Sequence, residues 1–155
     1  MKNRIVYLVL AGLLPLFGLR LAPVGAPDIT GSWRMSSHRV DPARNGIADL
    51  YEHYKNLYGG CREDMGMTFN ADGSVKVIPI KGCQNPLGAL MMKVVMASSA
   101  ATSWQATDQK ITLKDRKGNQ QEYDLKVNGS TMTWGFDSKD NEGVVRHTVE
   151  FRKEL

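Results

Sequence analysis

With 155 residues, 42% apolar and 23% charged, the chain has enough apolar material for one core, which excludes whole-chain disorder and argues for one domain with an appended leader. The formal net charge of +4 comes mostly from residues 1–26, where Lys2, Arg4 and Arg20 stand without an acid; removing those three from 20 basic residues leaves 17 against 16 acidic, a net of +1. Beyond the leader no Lys/Arg cluster is interleaved with aromatic residues, so nucleic-acid binding has no electrostatic footing.

Residues 1–26 are laid out as a secretory signal: a basic MKNR, a 15-residue apolar run IVYLVLAGLLPLFGL, then small residues ending in Val24-Gly25-Ala26. The run is shorter than the ~20 residues of a spanning helix and is interrupted by Pro15. Pro27 would follow the cut, so a cleaved signal and an uncleaved anchor, the sole membrane contact expected, both stay open. No cysteine closely follows the run, so the leader does not look like a lipoprotein signal. The expectation is an exported protein, periplasmic, cell-envelope or secreted, with its domain at 27–155.

Residues 30–39, TGSWRMSSHR, read as a first strand. Residues 42–58 place Ile47, Leu50, Tyr51, Tyr54, Leu57 and Tyr58 at three- and four-residue spacings, predicting an amphipathic helix. A hairpin follows, with strands at 64–70 and 74–80 around a three-residue loop Ala71-Asp72-Gly73, glycine taking the left-handed position. In that register Asn70 faces Ser74, and an unbroken ladder carries Cys61 opposite Cys83. Facing antiparallel residues lie within disulfide reach, an oxidising compartment permits the bond, and two unrelated buried thiols are the alternative.

Residues 86–100 form a second predicted helix, with a strand as the competing reading. Strands are then expected at 103–107, 110–115, 120–127, 131–137 and 144–153, with apolar side chains at period two and largely polar neighbours between them. That makes eight. Connections alternate between ends: NADG, ATDQ and VNGS are short, whereas both predicted helices fall at the other end, with KGN and SKDNEG. Eight antiparallel strands can close into a barrel that is filled by side chains or holds one small ligand.

DITGSWRM, with Gly31 and Trp33 in the key positions, resembles the lipocalin GxW signature. TFNADGS resembles the second-to-third-strand turn of lipocalin-like families among exported bacterial proteins, and VEFRK their terminal strand. The resemblance spans 28–155, although VNGST stands where classical lipocalins carry Thr-Asp-Tyr. It implies an all-β, eight-stranded antiparallel up-and-down barrel, here with two helical insertions at the open end. It also implies a structural role for Gly31, and for Trp33 at the closed end near a late basic residue, Arg152. The implied function is binding of a small hydrophobic ligand.

The inward face supplies the candidate ligand contacts: Met35, Met67, Phe69, Tyr123, Leu125, Trp134, Phe136, His147 and Val149. A filled core is the plainer reading of the same residues. It leads to the alternative function, a structural or interaction module of the cell envelope that docks a partner on Tyr51, Tyr54 and Tyr58.

Chemistry finds little in the spacing. His38, His53 and His147 are scattered without a metal-ligand pattern, His147 alternating inward with Val145, Val149 and Phe151. Met65, Met67, Met91, Met92 and Met96 suit packing better than soft-metal binding. Adjacent Glu63 and Asp64 would point to opposite faces of a strand, and no serine or cysteine nucleophile with a nearby base is identified. The expectation is a monomeric, non-enzymatic protein with neither metal nor cofactor.

Overall fold

Strand alternation governs most of the chain, because β-branched and aromatic residues recur at every second position where one sheet face is buried. The computed structural model describes residues 25–57, 65–78 and 101–154. Its elements are β1 (Gly31–Arg44), β2 (Ile47–Asp49), α1 (Leu50–Leu57), β3 (Gly66–Phe69), β4 (Val75–Val77), β5 (Ala101–Ala106), β6 (Lys110–Asp115), β7 (Gln120–Asn128), β8 (Thr131–Asp140) and β9 (Gly143–Lys153). Along β9, Val145, Val149 and Phe151 are buried while Val144, Glu150 and Arg152 are exposed.

All pairings are antiparallel, and the order β4-β3-β1-β9-β8-β7-β6-β5 wraps into a nearly closed eight-stranded barrel, with β2 paired to β1 off this path. The seam between β4 and β5 is narrow: one bridge pairs Ser74 with Ser103, the Trp104 amide donates to the Gly73 carbonyl at 2.8 Å, and Trp104 Nε1 donates to the Asn70 carbonyl at 3.1 Å.

The β3–β4 hairpin keeps the expected register, pairing Met67 with Val77, Thr68 with Lys76 and Phe69 with Val75. The Asn70 amide donates to the Ser74 carbonyl at 2.9 Å, and Gly73 sits at φ 81°, the left-handed position its loop requires. Cys61 and Cys83 lie outside the described residues, as do the predicted second helix and Met91, Met92 and Met96.

The single helix predicted over 42–58 is replaced by three pieces. β1 runs on through Arg44, Asn45 and Gly46 turn at φ 51° and 74°, β2 returns along β1, and only Leu50–Leu57 is helical. The cause is turn chemistry: a two-residue type I′ hairpin needs positive φ at both central positions, and Asn-Gly supplies it. The helix starts where the Asp49 carboxylate accepts the Glu52 amide at 3.0 Å, satisfying one unpaired donor of the first turn. Among the described residues α1 is the only helix, so the second insertion is not confirmed.

The SKDNEG segment is likewise no loop. β8 and β9 continue to Asp140 and Gly143, which pair across a two-residue turn, and Arg44 Nε clamps this extension to β1 through Asp140 Oδ2 at 2.7 Å.

Trp33, Phe69, Phe151, Ile29, Ile111 and Met132 are fully buried and anchor the core. Trp33 Nε1 donates to the Ile29 carbonyl at 2.8 Å, and Lys153 Nζ stands 5.4 Å from its ring centroid. The basic neighbour of Trp33 is therefore Lys153, not Arg152. Strand parity explains the correction: Trp33 pairs with Lys153, whereas Arg152 pairs with Arg34 and points outward.

Candidate functional site

The inner face of the barrel lines a cavity of about 770 Å³. Its wall is apolar and aromatic, with Met35, Met67, Val77, Leu113, Trp134, Phe136, Val149 and Phe151 contributed by six strands. Asp115, Asn119, Gln121 and Tyr123 add a polar arc on β6, β7 and the turn between them.

The aromatic rings brace one another. Tyr123 stacks on Trp134 with centroids 5.1 Å apart and meets Phe136 edge-on at 5.4 Å; Trp134 also leans on Phe151 at 4.7 Å and meets Phe69 at 6.1 Å. Such pairs contribute roughly 0.5–1.5 kcal/mol each beyond their area burial, so the wall is stiff. Trp134 Nε1 is buried without a hydrogen-bond partner among the described residues, which costs roughly 1–3 kcal/mol. Burial raises the Tyr123 phenol above its ordinary range, and its hydroxyl donates to Gln121 Oε1 at 2.6 Å. Asp115 is held below the usual carboxylate range, chiefly by the Asn119 side chain at 2.8 Å and also by backbone amides of its turn, so the arc keeps one ionised group.

At the mouth, His38 Nε2 lies 3.0 Å from His147 Nδ1, and His147 Nε2 lies 2.8 Å from Ser138 Oγ. The His147 ring lies flat on Phe136, centroids 4.5 Å apart and planes 4° from parallel. Burial lowers the His147 pKa, opposed by the charge of Asp137, which favours the neutral imidazole.

Six of the nine sequence-predicted contacts line the cavity: Met35, Met67, Tyr123, Trp134, Phe136 and Val149. Phe69 and Leu125 instead pack into the core, 1% and 2% exposed. His147 faces inward but stands behind the wall, joined to it through His38. Leu113 and Phe151 were within reach of strand parity. His38 was not, because a bulge between Met35 and Ser37 breaks the alternation and turns residues three apart, Met35 and His38, to the same cavity. Asp115, Asn119 and Gln121 belong to a turn that reads as ordinary Asx chemistry in sequence. The tyrosine stripe is not an open face: Tyr51 is buried, Tyr54 is half-buried, and Tyr58 lies outside the described residues.

A search of curated proteins found no match to the chain. A family model for the lipocalin-like domain matches residues 29–134, from just ahead of β1 through the cavity-lining Trp134. Barrel order and match agree, and the chain belongs to the lipocalin-like domain family.

Proposed function

We propose that the protein binds a small hydrophobic molecule inside its barrel. The observation that carries this reading is the cavity itself: about 770 Å³ falls within the range of small-molecule sites, and apolar and aromatic side chains with a few convergent polar groups form their usual lining. The Trp134 indole, without a partner among the described residues, supports it, since a wall selected only for stability would favour a residue without a stranded donor. The barrel of the family is consistent with the same use.

Export belongs to the proposal, supported by the composition of residues 1–26, and so does the Cys61–Cys83 bridge, supported by the register of the described part of its hairpin. Native mass spectrometry of protein purified gently from an oxidising compartment, set against its denatured mass, tests the reading. A discrete adduct lost on denaturation is expected. Bare protein that also fails to enhance the fluorescence of N-phenyl-1-naphthylamine would establish a filled barrel instead. A denatured mass two hydrogens below the reduced value is expected if the bridge forms.

A further inference from the structure

Ser138, His147 and His38 sit on three adjacent strands, β8, β9 and β1. Phe136 and Val40 both pair with His147, so Ser138 and His38 lie two residues along from direct partners and share its face. The atoms come in a particular order: serine hydroxyl, imidazole Nε2, imidazole Nδ1, then the Nε2 of a second imidazole. A nucleophile, its base and the group that orients the base use the same order. One contact alone would be ordinary. Two in series, with the central ring fixed on Phe136, accommodate the tautomer that the relay needs: with His147 Nδ1–H donated to His38, Nε2 accepts the Ser138 proton. Ser138 is exposed and stands two residues along β8 from the wall residue Phe136, while His38 itself lines the cavity.

We propose that these residues form an acyl-transfer site that hydrolyses carboxylic esters whose apolar part occupies the barrel. Ser138 Oγ attacks the ester carbonyl carbon as His147 Nε2 takes the hydroxyl proton. The tetrahedral adduct collapses by breaking the bond to the alkoxy oxygen, which leaves as an alcohol carrying that proton. Water then attacks the acyl-serine, giving its proton to His147; the ester bond to Oγ breaks, the proton returns to Ser138, and a carboxylic acid departs. No oxidant or reductant enters. Ser138 and His147 are catalytic residues, and His38 is a positioning residue. Positioned proton transfer contributes about 10²–10⁴-fold, so slow turnover is expected. Only the apolar part of the substrate rests on the ligand-binding reading.

The full chain is assayed with p-nitrophenyl acetate and p-nitrophenyl octanoate, and its reaction with diisopropyl fluorophosphate is followed by intact mass and peptide mapping. Stoichiometric modification of Ser138 is expected, with octanoate turned over more efficiently than acetate. Ser138→Ala, at an exposed site, and His147→Gln should each lower ester hydrolysis by about 100-fold or more, consistent with loss of the nucleophile or its general base. His38→Gln should lower it by at least about 10-fold and shift the midpoint of the pH–rate profile, where His147 feels His38 and Asp137, a shift that packing damage alone would not give. An unmodified Ser138, or modification unchanged in His147→Gln, overturns the site. Octanoate bound without turnover does so while sparing the binding reading. Labelling of Ser138 with no octanoate preference keeps the relay and removes the barrel-lodged substrate.

Discussion

Gly66 and Gly135 differ in what a methyl group would meet. At Gly66 a Cβ collides with the Trp33 carbonyl oxygen and stands 3.0 Å from Ile78 Cδ1, so the obstacle is paired backbone in the cavity wall. At Gly135 it collides with the Arg146 guanidinium, the far end of a side chain that crosses the glycine to reach Asp124 and also holds Asp137. Gly66→Ala should therefore cost about 1–3 kcal/mol in urea unfolding, the usual range for overpacking. Gly135→Ala should cost less than about 1 kcal/mol, because Arg146 can swing into solvent and exposed ion pairs contribute little. Equal losses would show that the guanidinium is as immovable as backbone. Asp124, bonded first by Lys110 and then by Arg146, has its pKa lowered to about 2. A depressed carboxylate contributes stability above the unfolded value near 3.8 and loses it as pH falls toward 2. Asp124→Asn should flatten that limb of the acid-unfolding curve and leave the shape of the curve unchanged between pH 5 and 8. Six cavity contacts were legible from alternation; His38 was hidden by a bulge that only pairing with β9 defines.

Among the elements, the β3–β4 hairpin and the β1–β2 hairpin show why legibility was uneven. Both announce themselves with turn residues, Asn-Ala-Asp-Gly and Asn-Gly. The first was read because strand alternation flanks it on both sides. The second was masked because Ile47, Leu50, Tyr51 and Tyr54 satisfy helical spacing, and β2 has only three residues in which to express a period of two. Local backbone preference decided it, with Asn45 and Gly46 both at positive φ. Gly46→Ala meets no atom within 4 Å, so its cost is conformational alone. A loss of about 1–2 kcal/mol is expected from the left-handed strain, measured by thermal unfolding, and Gly46→Asn should recover part of it. An Ala variant as stable as the original would mean that the turn is free to change type.

At the scale of the molecule, eight strands and a turn-bearing end opposite an elaborated one could be read from sequence, because alternation and connection length are local quantities. The narrow seam and the β1, β8, β9 extension could not, since each depends on partners distant in the chain. The central position of β9 is the most far-reaching of these long-range facts. Lying between β1 and β8, it joins β4-β3-β1 to β8-β7-β6-β5; among the described residues the backbone of these two groups otherwise pairs at the Ser74–Ser103 bridge and the Trp104 amide, with the Trp104 indole bond and the Arg44–Asp140 ion pair beside it. Deleting residues 143–155 should abolish cooperative unfolding and near-ultraviolet dichroism together; a truncated chain that still melts in one sharp transition would contradict the keystone role. The consequence concerns time. Ribosomes make β9 after every other strand of this barrel, and it is the one that unites both halves of the sheet, so a nascent chain has no native barrel to fold into until β9 has emerged, and folding of the barrel waits for it.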